Sequence, residues 1–419
     1  VLLVVGSGER WYREYLLSGA AAQHDLWLLA DVEADWQRPY VVGAERLDVT
    51  NLGALTSAAH RLAERRPIAG VLCWDEALIL PAAKLADRLG LRGPGAAAIQ
   101  RCRDKAATRS CLALAGIPQP ASVAVSSLSQ ARAEAARIGY PVVLKPRALG
   151  ASQGVVRADT PRQLEAAYAD AAAAFHPAVP RYRDGVLVEE YLDGPELSID
   201  AAVRDGTVTL LTLAHKEIGL APYFEEVGHR VDGADLLLRD PDLHELLRVV
   251  HAALGVDRAI THTELRLTAA GPRVIEVNGR LGGDLIPYLG WLARGIDHGR
   301  VAAEMALGEP LSATPRWCRA AAIRFGYPER DCRVRQVHLP RAREGVIRAD
   351  ALIEPGQVIR LPPHEYATRY AATVCAGDDP AECERRLDAA AAGMWLDGDP
   401  LGSPQLVAAR ATCDTWEQG

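Results

Sequence analysis

The chain's 419 residues are 49% apolar and 24% charged, an ordinary globular composition with length for two or three domains and a large core. A net charge of −7 gives no electrostatic reason to expect nucleic acid, and no apolar run reaches the roughly 18 residues of a membrane span. Eight cysteines (Cys73, Cys102, Cys111, Cys318, Cys332, Cys375, Cys383 and Cys413) lack CxxC spacing, which argues against a zinc site and for reduced thiols in a cytoplasmic protein.

The opening "VLLVVGSGER" is five apolar residues before a glycine turn, the pattern of a strand and not of a signal peptide; what lies upstream of Val1 stays open. Through residues 1–100, short apolar strands ("VLLVV", "DLWLLA", "IAGVLCW") alternate with Ala/Leu/Arg-rich helical stretches. The last of these, "ALILPAAKLADRLGL", ends at Gly90. A small parallel α/β domain is expected. Gly6-Ser7-Gly8 fits either a ligand-binding turn at the end of the first strand or a plain β–α turn. The six-residue dinucleotide fingerprint is absent, which argues against NAD.

From about residue 101 the rhythm changes. "RDKAATRSCLALAGIPQPAS" reads as a helix closed by Gly116 and stopped by Pro118 and Pro120. "YPVVLKPRALGASQGVVRA" reads as strand, glycine loop and strand, and an Ala-rich helix near 166–174 follows. "GVLVEEYLDGPELSIDAAV" and "GTVTLLTLAHKEI" read as strands, and 242–254 as a helix. From about 316, "RAAAIRFGYP" opens a third region of short strands, with a turn at "EPGQ" and a closing helix over "DPAECERRLDAAAAGM".

Three stretches carry chemistry. In "THTELRLTAAGPRVIEVNGR", Gly271-Pro272 punctuates two β-rich runs, so a hairpin is expected, with pairing about position 270 that sets Glu264 opposite Glu276. Alternation puts Glu264, Arg266, Glu276 and Asn278 on one face, with Leu265, Leu267, Ile275 and Val277 on the other. Two facing carboxylates repel. A divalent cation between them reverses the sign, and an all-oxygen Glu/Glu/Asn set suits Mg²⁺. The alternative is a solvated polar face with Arg266 neutralising the pair.

In "VVLKPRALGASQGVV", Lys145 ends a strand ahead of Gly150, Ser152 and Gly154. Such a loop suits phosphate, or else it is a glycine hairpin with an incidental lysine. It is not a P-loop, because the lysine precedes the glycines. In "VLVEEYLDGPELSID", Glu189 and Glu196 flank an extended segment that fits a nucleoside clamp, ordinary edge-strand acids being the alternative. Only four lysines (Lys84, Lys105, Lys145 and Lys216) stand against 43 arginines. A lysine kept against that bias marks a place where a compact point charge matters.

With "RDKAATR" and "PYFEEVGHR" added, these motifs resemble, in order and spacing, the ATP-grasp carboxylate–amine ligases across roughly residues 1–400. Within them the likeness is greatest to the bacterial L-amino-acid ligases of the bacilysin-synthetase type. The resemblance implies a multidomain α/β and α+β chain with an ATP-grasp fold. An N-terminal parallel α/β (pre-ATP-grasp) domain would span 1–100. An ATP-grasp domain would span 101–315, with a glycine-loop part at about 120–190 and a metal-site part at about 191–315. A C-terminal α+β domain would span 316–419.

It further implies that Lys105 and Lys145 hold ATP phosphates, with Lys216 as a third contact, and that the loop from Gly150 through Ser152 to Gly154 closes over them. Ala151 stands in that loop where the family often has glycine. Glu189, Tyr191 and Leu192 would meet adenine, the last two largely through backbone, and Glu196 the ribose. Glu264, Glu276 and Asn278 would carry two Mg²⁺ ions, with Mn²⁺ able to substitute. Arg280, with Lys145, would serve catalysis at the transferred phosphoryl group and the developing oxyanion. Glu226 and His229 would fix the second amino acid, with Gly283 making room for it; a surface loop with incidental charges is the alternative.

The activity so implied is ATP-dependent amide formation between an amino-acid carboxylate and an amine through an acyl phosphate, releasing ADP and phosphate, in specialised metabolism. Its partners would be small molecules and neither nucleic acid nor membrane, and a homodimer is compatible with it. The rival readings are an ATP-grasp ligase of primary metabolism with a non-amino-acid carboxylate, and a nucleotide-binding sensor without turnover.

Overall fold

The computed structural model describes residues 1–176, 179, 181–341 and 343–401. The end of the expected C-terminal domain beyond Leu401, Cys413 included, lies outside the described residues.

Four parallel strands, β1 (Leu2–Val5), β2 (Leu26–Ala30), β3 (Gly43–Arg46) and β4 (Gly70–Leu72), form the N-terminal sheet in the order β3-β2-β1-β4. β1 is apolar throughout because both its faces are covered: Leu2 and Val4 pack with Leu16 and Val301, Leu3 and Val5 with Leu55 and Leu85. The first of these cores runs on into Ala202, Leu211 and Ile260 of the central region, so the two regions share it.

A second sheet holds β5 (Ser122–Val125), β6 (Val142–Pro146), β7 (Val156–Ala158) and β8 (Val186–Glu190), antiparallel in the order β5-β8-β6-β7. Helices Leu128–Ile138 and Pro161–Ala173 cover it, and the glycine loop joins β6 to β7.

The largest sheet draws on β9 (Glu196–Arg204), β10 (Thr207–Gly219), β11 (Glu225–Asp232), β12 (Ala259–Thr268), β13 (Gly271–Asn278) and β14 (Ala320–Gly326). After β15 (Cys332–His338) come β16 (Val346–Ala351), β17 (Val358–Ile359), β18 (Ala371–Gly377) and β19 (Trp395–Pro400). Eight strands run antiparallel as β13-β12-β9-β10-β11-β14-β18-β16, and β17-β15-β19 form a small sheet beside them. The large sheet therefore crosses the expected boundary at 315/316, because β11 pairs with β14 from Gly228↔Arg324 to Asp232↔Ala320.

The β12–β13 hairpin sets Glu264 opposite Glu276 and His262 opposite Asn278, as its punctuation predicts. Two details differ. The turn is Ala269-Ala270, and Gly271-Pro272 start the returning strand. A bulge after Glu264 shifts the register so that Leu265 faces Val274. Ile275 is thereby the extra residue: Val274 is fully buried in the core, and Ile275 turns to the cleft described below. Among the described residues no helix is long and apolar enough to cross a membrane.

Candidate active site

One face of the large sheet carries polar residues in cross-strand register, since alternate residues of a strand share a face. One row runs Asn278–His262–Asp200–Thr212, the next Glu276–Glu264–Ser198–Ala214, and the third Arg266–Glu196–Lys216–His229. The middle row brings the two glutamates together. Their repulsion is offset by lysines and not, as the solvated-face alternative had it, by Arg266. Lys105 Nζ stands 3.0 Å from Glu276, and Lys216 Nζ 3.1 Å from Glu264. Arg266 instead binds Glu196 at 3.0 Å and the Leu192 carbonyl at 2.7 Å. Two carboxylates with the Asn278 amide beside them form a hard, all-oxygen donor set, which fits Mg²⁺.

Beside this pair lies a base-rich corner. Lys145, on β6, sits 2.6 Å from Glu189 on β8, and Arg109 holds the same carboxylate at 2.7 and 3.1 Å. Burial pushes the Glu189 carboxyl up, but Arg109 and Lys145 outweigh it and hold its pKa at about 2. Burial also lowers the Lys145 ammonium; Glu189 opposes this, while Arg109 and Lys105 add repulsion. Three cations (Lys105, Arg109, Lys145) thus face two carboxylates (Glu189, Glu276), and the excess positive charge suits a polyphosphate.

Glu189, expected at adenine, has its oxygens occupied by three donors and so positions the cations. Of the adjoining backbone, the Tyr191 N–H donates to the Pro141 carbonyl at 3.3 Å and the Leu192 carbonyl is taken by Arg266. The Tyr191 carbonyl and the Leu192 N–H have no partner among the described residues. The Tyr191 ring lies 4.1 Å beneath the Arg157 guanidinium and 6.5 Å from the Phe224 ring, walls that fit a planar base.

Lys216, expected on phosphate, is buried among three carboxylates: Glu226 at 2.6 Å, Glu196 at 2.9 Å and Glu264 at 3.1 Å. Burial works against its charge, but the three acids raise its pKa well above the ordinary value. It joins Glu196, Glu264 and Glu226 in one cluster.

The cleft so bounded shares residues 149–152, Glu226, Glu264 and Arg280 with a larger cavity of about 960 Å³. Arg280 spans both, anchored by Glu76 at 2.6 Å and by its bond to the Leu281 carbonyl. Gly150 and Ser152 line both cavities as well, and Gly283 lines the larger. Gly154 lines neither: its φ is +69° and a Cβ there would meet Ala174 Cβ at 2.7 Å, so it is a packing position. Ala151 and Ser152 both adopt φ of 52°, a left-handed conformation costing about 1–2 kcal/mol each for L side chains.

His229, expected to touch substrate, is fully buried and lines neither cavity. Its Nε2 lies 3.1 Å from Glu226 and 3.5 Å from Asp284, and it orients those two acids, which do face the larger cavity. Burial depresses its imidazolium, yet Asp284 and Glu226 raise it overall. Asp284 is clamped by Arg369 at 2.5 and 2.7 Å, and Arg369 in turn lies 3.7 Å over the Phe325 ring and donates to the Tyr327 hydroxyl.

Several of these participants escaped the sequence reading, Arg109 and Asp284 among them. His262 donates through Nδ1 to Asp200 at 2.8 Å, with Glu264 at 3.5 Å from Nε2. Burial lowers this imidazolium, but the two carboxylates prevail and its pKa stands at about 9. The Gly282 N–H also bonds Asp200, and a Cβ at Gly282 would come 2.8 Å from His262 Nδ1, so only glycine lets the loop approach. Extending the alternation back from Glu264 and on from Glu196 would have found His262 and Asp200. Nothing in the sequence marks Glu76 or Arg369.

A family model described as ATP-grasp domain matches residues 138–287, and one described as L-amino acid ligase C-terminal domain 2 matches 324–395. The chain is 31% identical over 312 residues to the uncharacterised protein y4rH of Sinorhizobium fredii, covering 74% of this chain and 63% of that one. It is 28% identical over 235 residues to alanine–anticapsin ligase of Bacillus subtilis, covering 51% and 49%. The chain thus spans less than two thirds of these relatives' own lengths. In fold it matches the crystal structure of L-amino acid ligase from Bacillus licheniformis with a TM-score of 0.78 at 22% identity, over 95% of this chain and 98% of that one.

Proposed function

We propose that this chain, matched by an ATP-grasp domain model and an L-amino acid ligase C-terminal domain model, is an ATP-grasp carboxylate–amine ligase that joins the carboxylate of one amino acid to the amine of another at the expense of ATP. The observation that carries this reading is the junction at Arg280: a cation-rich, acid-paired cleft suited to Mg·ATP on one side and a cavity of about 960 Å³ with charged side chains in its lining on the other.

Adenine would stack between Tyr191 and Phe224 and bond the free Leu192 N–H and Tyr191 carbonyl. Glu196 would take the ribose. Lys105 and Lys145 would turn from Glu276 and Glu189 toward the phosphates, and Lys216 would follow as Glu264 exchanges it for metal. Glu264, Glu276 and Asn278 would hold Mg²⁺, as two ions, which would draw charge from the γ-phosphate. A substrate carboxylate oxygen attacks the γ-phosphorus, the bond to the β-phosphate oxygen breaks, and ADP leaves. The amine nitrogen then attacks the acyl carbon, the C–O bond to phosphate breaks, and phosphate departs with the amine proton. Arg280, held by Glu76, stabilises the oxyanion; a preorganised donor of this kind is typically worth about 3–4 kcal/mol. The 149–152 loop keeps water from the acyl phosphate. Glu226 and Asp284, oriented by His229, would meet the second amino acid.

Phosphate release from Mg·ATP against a matrix of amino acids, alone and in pairs, with ADP and AMP resolved, tests this. Release of ADP and phosphate that requires a particular pair supports the ligase. AMP and pyrophosphate would sink it, and no pair-dependence with intact ATP binding would favour a non-amino-acid substrate.

A further inference from the structure

Four arginines line the larger cavity, and three of them are held by carboxylates. Arg103 and Arg280 share Glu76, at 3.4 and 2.6 Å, and Arg369 holds Asp284. Arg13, in the first turn of helix Arg10–Ala21, differs. Its Nη1 donates to the Gly282 carbonyl at 3.0 Å, and among the described residues no carboxylate oxygen comes within 4.0 Å of it.

The acids nearest to Arg13 are committed elsewhere: Asp75 accepts from the Ala77 N–H at 2.8 Å, and Asp284 belongs to Arg369. Burial depresses the guanidinium of Arg13; Tyr15, Asp75 and Asp284 oppose this, and neighbouring Arg280 adds repulsion. The stem packs closely on Gly8, where an added Cβ would come 2.9 Å from Arg13 Cγ. The helix start beside it adds partial positive charge, because no side chain caps it. A part-buried cation beside another cation, with no carboxylate bonded to it, favours an anion partner.

We propose that Arg13 receives the carboxylate that is not activated, the α-carboxylate of the amino acid whose amine attacks. This rests on the ligase reading. The carboxylate that meets the γ-phosphate must lie at Arg280, which borders both the cleft and the cavity, whereas Arg13 borders only the cavity. Arg13 also bonds the loop two residues beyond Arg280 and feels the charge of Arg280, so the two guanidiniums share one end of the cavity. The substrate class that follows is an amine donor with a free carboxylate, not a simple amine or an amino-acid amide.

The test uses the full chain and whichever pair of the twenty standard L-amino acids it couples fastest, the acceptor offered as free acid and as α-amide. Wild type should prefer the acid by at least about 30-fold in kcat/KM, the scale of a lost charge-assisted pair. Arg13→Gln should bring the ratio within about 3-fold through a higher acceptor KM, with the KM values of ATP and donor unchanged, and Arg13→Lys should regain much of the preference. A role confined to bracing Gly282 would move kcat and every KM together, leaving the ratio intact, and would overturn the proposal. A rise in the donor's KM alone would overturn it too, by placing Arg13 at the activated acid. If wild type couples no pair, the ligase reading fails by itself; calorimetric titration of the amino acids and their amides in Mg·ADP then decides. Acid-only binding lost in Arg13→Gln supports the carboxylate site, and equal binding to both proteins refutes it.

Discussion

Replacing His262 with glutamine would remove the cation that Asp200 holds at 2.8 Å and Glu264 at 3.5 Å. The imidazole's pKa rises from 6.5 to about 9, and at 1.36 kcal/mol per unit the protonated form stabilises the fold by about 3 kcal/mol. The sign follows from the direction of the shift. A raised pKa contributes fully below about pH 6.5, and the contribution drains as pH climbs through about 9. Between about pH 6 and 9.5, wild type should therefore lose about 3 kcal/mol that the glutamine variant never had. Urea denaturation of both proteins at a series of pH values measures this, and the ring-nitrogen resonances of labelled histidine report the pKa directly. Parallel stability profiles for the two proteins, or a resonance titrating near 6.5, would refute the reasoning.

Glu276→Ala removes one of the three proposed metal ligands while Lys105 keeps its bond to the Leu149 carbonyl, so Mg-dependent phosphate release should fall by about 10²-fold or more, with the circular dichroism unchanged. A magnesium titration with wild-type turnover would overturn the metal assignment. Arg109→Met strips Glu189 and the Val274 and Ile275 carbonyls of their donor, and should cost about 3–5 kcal/mol in a denaturant titration. A loss below about 1 kcal/mol would mean that Lys145 alone suffices for Glu189.

The hairpin was legible because Gly271-Pro272 punctuates it and the acids alternate, both local signals. Its bulge was not: Val274 and Ile275 are adjacent and both β-branched, so the pattern cannot say which is buried. The cleft's lysines stood out against 43 arginines, yet their partners did not. Lys216 lies across the strands from Glu196 and His229, pairings that become visible only once β9, β10 and β11 are docked. The same holds for Glu76 and Arg280, which are 204 residues apart, and for Arg369, whose role depends on how the last third of the chain packs. Gly154 looked like a phosphate-loop glycine because spacing alone does not distinguish close packing from ligand approach.

The unbroken eight-stranded sheet bears on how this chain can be rebuilt. Severing the chain near 315 would bare the β11 edge from Gly228 to Asp232, an open ladder prone to pair with other chains. β11 also bears Glu226 and His229. A chimera that borrows β14, β18 and β16 from a relative must match the backbone ladder of this strand, whose Glu226 faces the larger cavity and whose buried His229 orients it. The last third of the chain and the wall of the larger cavity are thereby tied to one ladder.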